Sequence, residues 1–217
     1  MSKFSHIIFD LDGTLTDNTL GISNSIKHAL KQMHIDGYSE DFLDQFIGPP
    51  LQMGFKNVFN MNEKEIELAI EYFREYYSEN GWSENLLYPG VLEMLEGLDQ
   101  TGVKMYIATA KYEKFAKKII EYFELDKYII QLNGADYSGK KAIKTIIISN
   151  LLESQQLVPS KEIVMVGDTI YDIVGGKENG LSTIALKYGF GKEYDLQKAE
   201  PDYWAESVEE LFEILAT

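Results

Sequence analysis

The stretch FDLDGTLTD, residues 9 to 17, sets Asp10 and Asp12 directly after the apolar run FSHIIF. If strand geometry continues through Leu11, the two carboxylates point to the same side, because strand side chains alternate with period two. They then share the carboxyl end of a first strand, which is where open parallel sheets bind ligands. A second apolar run ends the same way in IVMVGDTIYD, 163 to 172, with Asp168 at its end and Asp172 four residues on. In YIATAKYEK, 106 to 114, a strand ends in Thr109, whose hydroxyl could donate to a phosphoryl oxygen. Lys140 and Lys141 open a helical pattern after YSG, an unfavourable place for cations on the helix dipole that hints at a nearby anion. Each segment also has a plain structural reading: Asp12-Gly13 as a turn, Asp168 or Thr109 as a helix cap, the lysines as a solvated helix end. Taken together they line up carboxylates, a hydroxyl and an ammonium along one pattern. Oxygen ligands without a His or Cys cluster point to Mg²⁺.

These groups need elements that bring them together. Apolar runs at 4 to 9, 103 to 108, 128 to 132, 163 to 166 and 182 to 186 read as strands. Helical periodicity occupies 90 to 101, 112 to 123, 140 to 154, 170 to 179 and 207 to 215. Alternating strands and helices of this length predict an α/β fold, a doubly wound parallel sheet of Rossmann-like form. The stretch from 18 to 85 carries helical patterns only, which predicts an inserted α-helical subdomain. The expected division is 1–16 and 86–217 for the α/β core and 17–85 for the insert. SENGWSENLLYPG, 78 to 90, suits a hinge.

A formal charge of −15 repels nucleic acid and would also repel phosphorylated small molecules. A phosphate-handling site therefore requires local lysines or a divalent cation. The chain has no cysteine, so thiolate metal sites and disulfides are excluded. No segment reaches the ~18 apolar residues of a membrane span, and MSKFSHIIFD lacks a secretory apolar region, which together predict a cytoplasmic protein.

Through these segments the sequence resembles the phosphatases of the haloacid dehalogenase-like superfamily, over nearly all 217 residues. FDLDGTLTD matches the first motif, Thr109 the second, Lys140 or Lys141 the third, and GDTIYD with Asp168 and Asp172 the fourth, in the right order. The resemblance implies that Asp10 attacks phosphorus and forms an aspartyl phosphate, while Asp12 protonates the leaving group and later activates water. It implies Mg²⁺ held by Asp10, the Asp12 carbonyl and Asp168, with Asp172 orienting or completing the shell. Thr109 and a lysine, Lys140 in preference to Lys141, would hold the phosphoryl oxygens. Lys140 has Ile143, Ile146 and Ile147 on its helical stripe, whereas Lys141 lies about 100° around. The motif-two Thr is often followed by Ser or Asn, and here Ala110 stands in that place.

The helical insert resembles the cap of the phosphoglycolate phosphatase-like branch, with QFIGPPLQMGF as its substrate-facing segment. Gly48 and Pro49 break a helix there, and the break could present backbone groups and Gln52 to the site. Arg74, the only arginine in the chain, could clasp a substrate carboxylate or second phosphate, or could pack on the surrounding tyrosines. Lys111, Lys114, Lys117 and Lys118 read as a solvated face, with Lys111 alone near motif two. The resemblance implies a Mg²⁺-dependent phosphatase of small phosphate esters such as phosphoglycolate or nucleoside monophosphates. A sugar-phosphate mutase of the β-phosphoglucomutase type, or a non-catalytic binding module on the same fold, would share these motifs.

Overall fold

The computed structural model describes residues 3–39, 46, 51–137 and 142–217. It divides into two compact units: Met1–Asp17 with Leu87–Thr217, and Asn18–Leu86.

The first unit is built on a six-stranded parallel sheet, consistent with the Rossmann-like class expected from the alternating pattern. Its strands are β1 (His6–Phe9), β4 (Lys104–Tyr112), β5 (Ile129–Ala135), β6 (Ile163–Gly167), β7 (Ser182–Leu186) and β8 (Tyr203–Ala205). They lie in the order β5-β4-β1-β6-β7-β8. β1 is thus the central switch strand, with β4 to one side and β6 to the other. Phe9 pairs with Ile107 on β4 and with Val166 on β6, so the strand ends that follow reach the same edge of the sheet together.

The sheet is covered on both faces, and that is why β1, β6 and β7 are buried without alternation. On one face Ile8, Tyr106, Ala108 and Met165 pack against Ile147, Ile148 and Leu151 of α6 (Lys144–Ser154). Residues of opposite parity, Ile7, Phe9, Ile107, Val164 and Val166, are equally buried. The remaining helices of this unit are α4 (Val91–Thr101), α5 (Glu113–Tyr122), α7 (Ile170–Glu178), α8 (Glu193–Ala199) and α9 (Val208–Ala216).

Several elements differ from the sequence expectation. β4 runs on to Tyr112 instead of stopping near 108. α6 begins at Lys144, because Ile143 is extended, so Ala142 and Ile143 fall outside the helix expected from 140. β8 and α8 are too short for periodicity to reveal, as is a ladder of β2 (Thr16–Asp17) with β3 (Leu86–Leu87). Among the described residues, no helix is long and apolar enough to cross a membrane.

The second unit contains α1 (Thr19–Gln32), α2 (Leu51–Phe59) and α3 (Glu63–Tyr76). Asn62 caps α3: its side chain accepts from Lys64 N and Glu65 N, and Glu65 Oε2 takes the Asn62 N–H in return. The segment read as a hinge starts instead as a widened helical turn, Tyr77–Gly81, continuing α3. Its closeness to α1 depends on glycine, since a Cβ on Gly21 would lie 2.0 Å from the Gly81 carbonyl oxygen. Gly21→Ala should therefore destabilise the protein by about 1–3 kcal/mol, read as a lower urea midpoint at unchanged slope.

Candidate functional site

Asp10 follows β1 directly. Its N–H donates to Val166 O at 2.9 Å, continuing the ladder to β6, and its Oδ1 accepts from Leu11 N at 2.7 Å. Asp168 follows β6 in the same way. Thr169 then caps α7, and Asp172 Oδ2 accepts from both Thr169 N at 3.0 Å and Thr169 Oγ1 at 2.7 Å. The cap residue is thus Thr169, while Asp172 is turned back toward the strand ends.

Asp10, Asp168 and Asp172 are buried and each presents a carboxylate oxygen within 4.8 Å of the other two. Into this cluster projects Lys144, from the first position of α6. Its Nζ lies 2.8 Å from Asp10 Oδ1 and 2.7 Å from Asp172 Oδ1, and donates to Ala108 O at 3.0 Å. The Lys144 ammonium is the contact of Asp172 Oδ1 in this buried place.

Charge does not balance here. Three buried carboxylates face one ammonium. Burial pushes Asp10 up to about 6, with Lys144 and the Leu11 N–H pulling it down and Asp172 pushing it further up. Burial likewise lifts Asp168 well above the usual carboxylate range, helped by Asp172 and Asp10 and opposed by the Phe190 N–H and Lys144. For Lys144 burial acts downward, but Asp10 and Asp172 outweigh it and hold the ammonium above the ordinary lysine range. Oxygen donors and excess negative charge fit a hard divalent cation, which Asp10, Asp168 and Asp172 could hold.

The loop after β7 supports this cluster. Phe190 N donates to Asp168 Oδ2 at 2.7 Å, and Tyr188 OH donates to Thr14 O at 3.0 Å. Gly13, at φ 82°, passes so close that a Cβ would fall 2.3 Å from Asp168 Oδ2. Thr109 is buried near the end of β4, and its Oγ1 accepts from Lys111 N at 3.3 Å, with α5 starting only at Glu113. Asp12 receives Lys111 Nζ on Oδ2 at 2.6 Å and Thr16 Oγ1 on Oδ1 at 3.3 Å.

Of the residues singled out in the sequence, the structure gathers Asp10, Asp168 and Asp172 in one cluster. Gln52 lies in the first turn of α2 and Arg74 in the last turn of α3, both in the helical unit. Gly48, Pro49, Lys140 and Lys141 lie outside the described residues. Sequence reasoning missed Lys144, the Lys111–Asp12 pair and the Tyr188–Phe190 support. A signal for Lys144 existed, since it shares its stripe with Ile147, Ile148 and Leu151, all buried. The glycines flanking Phe190, directly after a strand, were a signal for the loop.

Residues 7–186 match the model of the haloacid dehalogenase-like hydrolases. The chain is 34% identical over 213 residues to a 5′-nucleotidase of Pseudomonas aeruginosa, covering 98% of this chain and 96% of that one. It is 31% identical over 218 residues to a phosphoglycolate phosphatase of Vibrio parahaemolyticus, covering 97% and 95%. A crystal structure of a predicted phosphatase from Clostridium acetobutylicum superposes with a TM-score of 0.89 at 36% identity, covering 97% of each chain.

Two outcomes follow from the charge imbalance. Lys144→Met should cost about 3–5 kcal/mol at pH 7, measured by urea unfolding, because it leaves buried carboxylates without their counter-charge. An Asp10 raised to about 6 binds its proton more tightly folded than unfolded, so its contribution to stability falls as pH rises through the window up to about 6. A divalent cation needs that carboxylate ionised. Its addition should raise Tm clearly at pH 7.5 and much less at pH 5, as thermal melts with and without Mg²⁺ would show.

Proposed function

Since the chain belongs to the haloacid dehalogenase-like hydrolases, we propose that it is a Mg²⁺-dependent phosphatase of small phosphorylated metabolites, of the phosphoglycolate or nucleoside monophosphate type, acting through an aspartyl phosphate. The observation that supports this most is the seating of Asp10: a buried carboxylate at the central strand end, 2.8 Å from Lys144 and grouped with Asp168 and Asp172.

In this reading one Asp10 oxygen attacks phosphorus, the bond from phosphorus to the leaving oxygen breaks, and a proton passes from Asp12 to that oxygen. Water then attacks the aspartyl phosphate, gives its proton to Asp12, and inorganic phosphate departs with Asp10 restored. Lys144 takes the phosphoryl-holding role that the sequence suggested for Lys140 or Lys141, and Thr109 contributes its hydroxyl. Asp10 and Asp168, with the Asp12 carbonyl, would hold Mg²⁺, and Asp172 is kept turned toward them by Thr169. The ion, when bound, supplies the positive charge that an acidic chain lacks for meeting a phosphate dianion. The helical unit, with Gln52 and Arg74, would distinguish leaving groups.

Phosphate release should be measured from 2-phosphoglycolate, nucleoside 5′-monophosphates, pyrophosphate and hexose phosphates. Wild type with Mg²⁺ should turn over at least one of them. Chelator should abolish the reaction, and Asp10→Asn should lower kcat by at least about 10³-fold. A folded protein that isomerises a sugar 1-phosphate without releasing phosphate would replace this reading with the mutase.

A further inference from the structure

In the sequence Lys111 belongs with Lys114, Lys117 and Lys118 as part of a solvated face. Lys117 follows that pattern, with a side chain 55% exposed and paired to Glu113 one helical turn away. Lys111 does not: its side chain is 9% exposed, and its ammonium donates to Asp12 Oδ2 at 2.6 Å. The reason is the extra length of β4. The strand continues past Thr109, with its pairing to β5 shifted between Ala108 and Tyr112, and Lys111 stands two residues beyond Thr109. The Lys111 N–H is tied to Thr109 Oγ1 at 3.3 Å, which fixes the local backbone.

Asp12 consequently has a donor on each oxygen, from two parts of the chain. Thr16 Oγ1, on β2, lies 3.3 Å from Oδ1 and shares its one proton between that oxygen and Leu11 O, and Lys111 reaches Oδ2 from β4. A carboxylate held on both oxygens cannot turn about its terminal bond without losing one of them. An exposed lysine pair would be a weak constraint, but this one is largely withdrawn from solvent.

We propose that Lys111 is a positioning residue for the Asp12 carboxylate, serving the leaving-group side of the reaction. This rests on the phosphatase reading above. In the first step the P–O bond to the leaving group breaks with its electron pair staying on oxygen, and a proton carried on Asp12 Oδ1, the oxygen not engaged by the Lys111 ammonium, moves to that oxygen. An alkoxide needs the proton in order to leave; 4-nitrophenolate departs as the anion. Loss of a residue that acts through Asp12 is therefore felt in proportion to leaving-group basicity. Loss of a residue that grips the phosphoryl group, or merely supports the fold, is felt equally with both esters.

The test compares kcat/KM, which covers the steps up to leaving-group departure, for an alkyl phosphate and for 4-nitrophenyl phosphate in wild type, Lys111→Met and Lys111→Arg. Lys111→Met should lose on the order of 10- to 100-fold more with the alkyl ester than with the nitrophenyl ester. Lys111→Arg, which keeps the charge, should recover part of that difference. The ratio between esters does not change if some of the variant is unfolded, because both rates fall with the active fraction. Equal losses with the two esters, or no loss with either, would overturn the assignment while leaving the phosphatase intact. A wild type that releases phosphate from neither ester would overturn the phosphatase reading and this assignment with it.

Discussion

The structure of the α/β unit depends on one ammonium placed among carboxylates. Lys144 enters a buried space between Asp10 and Asp172, and without it three carboxyl groups would share a low-dielectric interior with no opposite charge in the cluster. Such a group is costly to bury and costly to leave unpaired. Its geometry is therefore narrowly set: α6 must begin where it does, Ala108 must offer its carbonyl, and β1 and β6 must end level with one another beside Ala108 of β4. The register of the sheet satisfies the last condition.

The same constraint explains why the neighbouring loops are so closely fitted. Asp168 is held by the Phe190 N–H and crowded by Gly13, and Asp172 is held by the cap residue of α7. Each carboxylate has a backbone or hydroxyl donor of its own, so the cluster is ordered before any ligand arrives. Asp12 sits beside this arrangement with a different environment: more open, paired to Lys111, and outside the buried trio. The contrast suits two carboxylates with two tasks.

Much of this was legible in the sequence because buried strands advertise themselves. Runs such as IIF and IVMV have no polar interruption, and an aspartate ending such a run is conspicuous. Lys144 was hidden for a physical reason. Ile143 and Ile146 look like core residues in a helix counted from 140, yet they are 54% and 44% exposed, and the buried stripe runs through Ile147, Ile148 and Leu151 instead. Two stripes, one from 140 through Ile143 and Ile146 and one through Lys144, Ile147, Ile148 and Leu151, fit the same stretch, and local periodicity does not choose between them. Lys111 was hidden similarly, because the length of β4 past Thr109 is decided by its pairing with β5, not by the composition of ATAKY. The Phe190 contact joins residues far apart in the chain, where spacing rules say nothing.

The placement of the helical unit between β1 and the rest of the sheet has a consequence for how the chain comes into being. His6 pairs with Lys104 on one side and Ile163 on the other, so the central strand leaves the ribosome before both of its neighbours and meets the second only after about 150 more residues have followed. At ordinary rates of synthesis that wait is roughly ten to thirty seconds. Residues Asn18–Leu86, by contrast, are contiguous, and all their partners within that unit have emerged before β4 exists. Nascent β1 therefore spends the first part of the interval unpaired and the rest with one edge open, and the aspartate that ends it, in an acidic chain, is the kind of residue that discourages pairing of such an edge with other strands.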